Sequence, residues 1–163
     1  MTGNLDLFFL TDTYHYKGFD RTEDMATNYT AGTFPAAESA YNYTELPVPL
    51  FSTGWFMPSA GQWKKIVAGL SDFKNLNQSH TWSQSENEDY TGPYLAAQVD
   101  AKLSVAGSYD GMYINTDGKK CYATSSEYGP SHAAILNWHT LGIILNGMYR
   151  YSNTFVVRPV FAF

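Results

Sequence analysis

The stretch that decides the fold is Gly54-Trp55-Phe56-Met57-Pro58-Ser59-Ala60-Gly61-Gln62-Trp63. Ser59 precedes Gln62 by three residues, which is the capping-box pattern of a helix N-terminus. From there apolar residues recur at i, i+3, i+4 and i+7, the spacing of one buried helix face. These residues are Trp63, Ile66, Val67 and Leu70. The sequence therefore predicts a helix over residues 60–70, with the pair Lys64-Lys65 facing water.

On the N-terminal side, the apolar run Leu5–Leu10 predicts a short strand. Residues 11–33 are polar and lack a clear period, so no element is predicted there. Pro35 is suited to the first turn of a helix that runs to about Tyr43, with Thr33 as its cap. The stretch 45–53 holds two prolines, which predicts a loop or an edge strand.

On the C-terminal side, residues 73–93 are polar and predict a loop. A further helix is expected from Tyr94 to Ala106, because Leu95, Val99 and Leu103 share one face. Gly107 is the expected stop signal.

The rest of the chain predicts β structure. Asn115-Thr116-Asp117-Gly118 is a turn signal, with Met112–Ile114 and Cys121–Ala123 as the flanking strands. The tail Phe155–Phe163 predicts a strand, and its proline places that strand at an edge or a bulge. Helices followed by strands favour an α+β fold over repeated βαβ units.

Length and composition narrow the class of protein. The 163 residues suit one domain, 1–163, and the charged share of 15% is low while the aromatic share of 17% is high. A net charge of −5 argues against duplex nucleic acid as a partner. No apolar run is long enough for a membrane span, and no signal peptide follows Met1. The single cysteine excludes an internal disulfide.

Three motifs carry a family resemblance. They are Gly54–Trp63, the run Tyr122-Ala123-Thr124-Ser125-Ser126-Glu127-Tyr128, and the tail Val157-Arg158-Pro159-Val160-Phe161-Ala162-Phe163. Together they resemble C-type-lectin-like domains of surface proteins from gut Bacteroides and their phages, which are related to the C-terminal domain of Legionella collagen-like protein. Ala123 departs from the pattern, because the family usually has Trp at this position.

The resemblance implies a C-type lectin-like fold. In that fold the N- and C-terminal strands pair, two to three helices flank a small mixed or antiparallel sheet, and an upper sheet carries the binding face. Many such domains resemble targets of diversity-generating retroelements, which randomise adenines at chosen codons. Here that implies a variable face at about 128–156, in which Ala134, Leu136 and Trp138 point inward and Gly142 and Ile144 are also fixed. The residues expected to be displayed are Ile135, Asn137, His139, Thr140, Leu141, Ile143, Leu145, Gly147, Tyr149 and Tyr151.

Two features of this stretch stand out. Ile135, Leu141, Ile143 and Leu145 are apolar at positions expected to face solvent, which is typical of a binding patch. Asn146-Gly147 is a strong hairpin signal by itself. The family pattern instead places the turn near His139–Gly142, and we favour that register.

Other candidate sites have weaker support. The histidines (His15, His80, His132 and His139) show no metal-ligand spacing, and no HExxH motif occurs. Cys121 lies in an apolar strand pattern, so we expect a buried thiol rather than a nucleophile. The acidic cluster Glu86, Glu88 and Asp89 is expected to be a solvated loop rather than a calcium site.

Residues inside the family motifs also have structural interpretations. For Glu127 and Arg158 we expect an ion pair or hydrogen bonds that support the binding face. Trp55 and Trp63 are expected in the core rather than stacked on sugars.

The sequence thus predicts a non-enzymatic ligand-binding domain without cofactor or metal. Its expected partner is a protein or a surface glycan bound through the variable face, and its expected location is a bacterial cell surface or a phage virion. The alternative is a structural or adhesive module of a surface fibre or phage tail, which would use the same face to form oligomers. An enzyme is the least favoured class, because no nucleophile–base pair or phosphate loop is visible.

Overall fold

A computed structural model describes residues 17–73, 81–83, 91–105, 111–116, 120–129, 132–149 and 155–162. Four helices occur in these ranges: α1 (Gly18–Thr27), α2 (Pro35–Tyr41), α3 (Ala60–Leu70) and α4 (Gly92–Ser104). Five strands accompany them: β1 (Thr81–Ser83), β2 (Cys121–Gly129), β3 (His132–His139), β4 (Gly142–Tyr149) and β5 (Phe155–Val156). The expected α+β class is therefore confirmed.

The strands form one mixed sheet in the order β1-β4-β3-β2-β5. Neighbouring strands are antiparallel except for β2 and β5, which run parallel. The described part of the tail is a strand only at Phe155–Val156, and Val160 adds an isolated bridge to Phe56. The expected strand Leu5–Leu10 lies outside the described residues.

Helix α3 begins as the sequence predicts. The Ser59 hydroxyl accepts a hydrogen bond from the Gln62 backbone N–H at 3.2 Å, and the Gln62 side chain accepts one from the Ser59 N–H at 2.9 Å. Trp63 and Val67 are buried, and the other two residues of the predicted face are half-buried. Lys64 was expected in water, yet it is only 4% exposed, and this burial lowers the pKa of its amine.

Helix α2 confirms the predicted start at Pro35, but its cap differs from expectation. The residue before the helix is Phe34, and Thr33 provides no capping bond. The Glu38 carboxylate reaches back instead and accepts the backbone N–H groups of Gly32 at 2.8 Å and Phe34 at 3.3 Å. A carboxylate in the first turn also interacts favourably with the helix dipole.

Two elements were not predicted, α1 and β1. Helix α1 buries only Gly18 and Thr22, so it has no apolar stripe that a sequence pattern could reveal. It is held instead by the Thr22 hydroxyl, which donates to the Gly18 carbonyl at 2.6 Å and accepts from the Met57 N–H at 3.1 Å. Strand β1 has only three residues and lies within a stretch expected to be a loop.

The predicted hairpin around Asn115-Thr116-Asp117-Gly118 is wrong, because its first strand does not form. Residues 112–114 form no strand, although Cys121–Ala123 is the start of β2 as expected. Asn115 forms a parallel bridge to His139, so this segment runs beside the end of β3. Helix α4 starts two residues earlier than predicted and ends at Ser104, and the expected stop at Gly107 lies outside the described residues.

The main core lies between one face of the sheet and the helices α3 and α4. It combines large side chains of both layers, namely Trp63, Val67, Phe73, Leu95, Val99, Tyr122, Leu136, Trp138, Ile143 and Leu145. A smaller cluster on the other face joins Ala123 of β2 to Ala37 and Ala40 of α2 and to Met57. The small Ala123 side chain, where the family pattern has Trp, thus packs against α2.

Helix α4 touches the β3–β4 turn at Gly92. The Gly92 N–H donates to the Thr140 carbonyl at 3.2 Å, and its own carbonyl accepts the Trp138 indole N–H at 2.8 Å. A Cβ at Gly92 would overlap the backbone carbonyl of His139. Only glycine therefore lets the helix approach the turn this closely.

We expect Gly92→Ala to lower the free energy of unfolding by about 1–3 kcal/mol or more, since backbone atoms must move to admit the methyl group. Gly69→Ala is the matched control, because nothing lies within 4 Å of a Cβ at this exposed helical position. That variant should be neutral or more stable by up to about 1 kcal/mol. Urea unfolding measures both, and equal values for the two variants would contradict the close contact.

Candidate functional site

The candidate site is the outer end of the β3–β4 hairpin. His139 pairs with Gly142, so the turn consists of Thr140 and Leu141. This confirms the turn at His139–Gly142. Asn146 and Gly147 lie inside β4, opposite Ile135 and Ala134, so the Asn-Gly pair forms no turn here.

The two-residue turn fixes which side chains of β4 face outward. Paired residues of neighbouring strands share a face of the sheet, and the register places Ile143 opposite Trp138 and Leu145 opposite Leu136. All four of these side chains are buried. Ile144 lies opposite Asn137 on the other face and is half-buried.

The expected display of Ile135, Ile143 and Leu145 is therefore wrong. Each is no more than 1% exposed. Ile143 and Leu145 belong to the main core because β4 alternates one residue out of step with our expectation. Ile135 lies on the other face beside Ala123, where α2 packs. Ile144, which was expected to be a fixed position, lies on the other face of the sheet, opposite Asn137.

The remaining predicted residues fall into three groups. Thr140 and Leu141 are exposed, and Asn137, His139 and Gly147 are half-buried. The side chain of Tyr149 and the whole of Tyr151 lie outside the described residues. We call the set Asn137, His139, Thr140, Leu141 and Ile144 the hairpin face. It combines Leu141, an apolar side chain that is 59% exposed, with three polar residues and the half-buried Ile144.

The hairpin face is supported from behind by Asn115. This amide is 1% exposed, and its Nδ2 donates to Asn137 Oδ1 at 2.8 Å. Its backbone N–H donates to the Trp138 carbonyl at 2.7 Å. The buried Asn115 amide thus sets the orientation of Asn137. The sequence predicts Asn115 only as part of a turn. A buried polar network of this kind restricts a side chain to one arrangement.

His139 is held by local contacts. Its Nδ1 accepts the Leu141 backbone N–H at 3.3 Å and lies 3.3 Å from the Thr140 hydroxyl. These bonds close the turn on itself and leave the Leu141 side chain projecting. A binding surface with few mobile groups loses little conformational entropy when it is occupied.

Cys121 is a buried free thiol at the start of β2, as expected. Burial raises the pKa of its thiol, and Asn115 Nδ2 lies 3.7 Å from its sulfur. The reactive form of cysteine is the thiolate, so this environment does not favour a nucleophile.

Arg158 forms a hydrogen bond of the kind that we expected, and its support of a binding face stays a prediction. Its guanidinium donates to the Gly111 carbonyl at 2.7 Å, which ties the C-terminal segment to the loop before Asn115. Glu127, the other motif residue, is half-buried at the far end of β2.

Among the described residues, no group of three or more His, Cys, Asp or Glu side chains is placed to hold a metal ion. The acidic cluster Glu86, Glu88 and Asp89 and two of the histidines, His15 and His80, lie outside the described residues. None of the described helices has the length and apolar character needed to cross a membrane.

A cleft of about 1140 Å³ runs along the C-terminal segment 156–162. Its opposite wall contains Trp63 and Ile66 of α3 and Val99 of α4. Trp63 is a core residue as expected, whereas Trp55 is half-buried, and its indole N–H donates to the Leu46 carbonyl at 3.1 Å.

A second apolar surface lies on the loop 46–51. Its four large side chains are at least 47% exposed, and Phe51 at 96% is the most exposed of them. Phe51 also has a φ of +65°, an uncommon conformation for a residue other than glycine.

No protein-family model, curated protein or solved structure matches the chain. The geometry of the described residues is therefore the basis for a functional proposal.

The difference in burial between Leu141 in the turn and Leu145 in β4 provides a direct test. Leu145→Ala should lower the free energy of unfolding by about 2–5 kcal/mol, because it leaves a cavity in the core. Leu141→Ala should change it by less than about 0.5 kcal/mol, because that side chain is largely in water. Thermal or urea unfolding measures the stability of the two variants. A loss of stability in Leu145→Ala as small as that in Leu141→Ala would show that Leu145 is displayed and not buried.

Proposed function

We propose that the chain is a non-enzymatic ligand-binding domain that presents a diversified surface on a C-type lectin scaffold. The observation that carries the proposal is the contrast within the β3–β4 hairpin. Trp138, Ile143 and Leu145 anchor its inner side in the core, while Leu141 projects from its turn. An exposed apolar anchor with polar neighbours on a fixed backbone suits the recognition of a protein or surface glycan.

In this proposal the domain acts at a bacterial cell surface or on a phage virion. The diversity arises from a retroelement that randomises adenines at chosen codons, as in the domains that the motifs resemble. His139, Thr140 and Leu141 are free to vary without loss of the core, and a change at Asn137 also replaces the acceptor of the buried Asn115 amide. Ile144 joins them because it shares the outward face with Asn137.

The finer fold that we propose is the C-type lectin-like fold with paired terminal strands. The cleft along residues 156–162 supports it, because its wall includes apolar side chains such as Ile66 and Val99, which suit an apolar run such as Leu5–Leu10. Helix α1 also begins beside the cleft. Gly18 lies next to Phe56 and Gln62, and both of these line the cleft wall.

The strand pairing is tested by a charge placed in the N-terminal run. Leu7→Asp should lower the free energy of unfolding by about 2 kcal/mol or more, because a carboxylate would enter an apolar site. Thr2→Asp adds the same charge outside the predicted strand and should change stability by less than about 0.5 kcal/mol. Equal unfolding curves for the two variants would refute the pairing.

The diversified surface is tested on the DNA that flanks the coding sequence. We expect a near-copy of the codons for residues 133–157 beside a reverse transcriptase gene, with differences concentrated at adenines. The differences should fall on codons of the hairpin face and spare those of Ile143 and Leu145, whose side chains fill the core.

Two results would contradict this expectation. Differences spread evenly over outward and core codons would refute the assignment of the hairpin face. Absence of a copy would favour the alternative, an adhesive module that forms oligomers through the same face. In that case sedimentation would show an oligomer that Leu141→Asp dissociates.

A further inference from the structure

A second pocket lies on the other side of the sheet from the main core, between α1, α2 and the strands β2 and β5. Its volume is about 60 Å³. Buried side chains form its floor, among them Ala37, Met57 and Ala123, and half-buried Met25 and Phe34 stand at its rim. It contains no residue of the hairpin face.

One polar group in the wall of this pocket has no partner. Ser125 lines the pocket and is 5% exposed, and its buried hydroxyl makes no hydrogen bond within the described part of the chain. The neighbouring hydroxyls are engaged. Thr124 donates to the Ala134 carbonyl at 2.7 Å, and Ser126 accepts the Ala60 N–H at 3.1 Å. A buried hydroxyl without a partner destabilises the folded state by about 1–3 kcal/mol. A ligand or water that bonds to the Ser125 hydroxyl would recover this free energy.

The size and polarity of the pocket limit what can satisfy Ser125. A buried water needs roughly 10–15 Å³ and two to four polar partners. The pocket is several times larger than that, yet its wall is almost wholly apolar and Ser125 is its one hydroxyl without a bond. A molecule with an aliphatic body and a single polar group matches both features. An anion is disfavoured, because moving a charge from water into an almost wholly apolar pocket is costly.

We propose that this pocket binds a small neutral aliphatic molecule that carries one hydroxyl. The aliphatic part lies against Met57, Ala37 and Ala123, and the ligand hydroxyl bonds to the Ser125 hydroxyl after that side chain rotates about χ1. One water molecule needs roughly 10–15 Å³ of such a cavity. On that scale the pocket has room for about four to six non-hydrogen atoms. Binding of so few atoms is weak, with a dissociation constant in the millimolar range.

The test titrates the full chain with 1-butanol and follows the methyl signals of its methionines by NMR. We expect saturable shifts at Met25 and Met57, which line the pocket, with millimolar affinity. Butyrate has the same aliphatic length with a charged end and should bind at least tenfold more weakly. Shifts that increase linearly without saturation, or equal affinity for butyrate, would overturn the proposal.

Two substitutions locate the site. Ser125→Ala should weaken 1-butanol binding about threefold to tenfold, the effect of one lost hydrogen bond. Ser39→Ala, on the exposed side of α2, is the matched control and should bind as the parent chain does.

Ala36→Leu should abolish binding, because Ala36 lines the pocket and a larger side chain would fill it. Circular dichroism verifies that this variant is folded. Equal 1-butanol affinity of the Ser125→Ala and Ser39→Ala variants would show that Ser125 does not contact the ligand. Binding of 1-butanol by a folded Ala36→Leu variant would show that the ligand does not occupy this pocket.

Discussion

The structure depends on three aromatic rings that meet where helix and sheet layers join. Trp63 of α3 lies 5.3 Å from Tyr122 of β2, and Tyr122 lies 6.5 Å from Trp138 of β3, measured between ring centroids. Tilted and edge-on contacts at these distances add about 0.5–1.5 kcal/mol to the burial of the rings. Because all three side chains are almost fully buried, the cluster fixes how one helix lies across two strands.

The hydroxyl of Tyr122 and the indole N–H of Trp138 form hydrogen bonds to the backbone of neighbouring segments. The Tyr122 hydroxyl accepts the Tyr113 N–H at 2.6 Å, and Trp138 donates to Gly92. The loop before Asn115 and the start of α4 are thereby tied to the core. Both segments contact the end of β3 from which the hairpin face projects. The position of that face thus depends on buried aromatic residues as well as on the local hydrogen bonds of Asn137 and His139.

Local signals in the sequence were sufficient for α3 and for the class of fold. The Ser59–Gln62 capping box and the apolar period after it are short-range features, and the structure confirms both. The inward orientation of Ile143 and Leu145 was missed because it depends on turn length, and a shift of one residue in register exchanges the two faces of a strand. Helix α1 was missed because it is held by a contact distant in the sequence, between Thr22 and Met57, which no local period reveals.

The pairing of Thr53 with Ala162 has a consequence for the order of folding. The Thr53 N–H donates to the Ala162 carbonyl at 2.8 Å, and the Ala162 N–H donates to the Thr53 hydroxyl across 109 residues of chain. Contacts this far apart in sequence form slowly, because a long loop must close before they stabilise anything. During synthesis, α3 can form early on the ribosome. The segment 53–56 before it stays without its partner, the segment 160–162, until Ala162 has been translated. That interval exposes apolar surface to aggregation and chaperone capture.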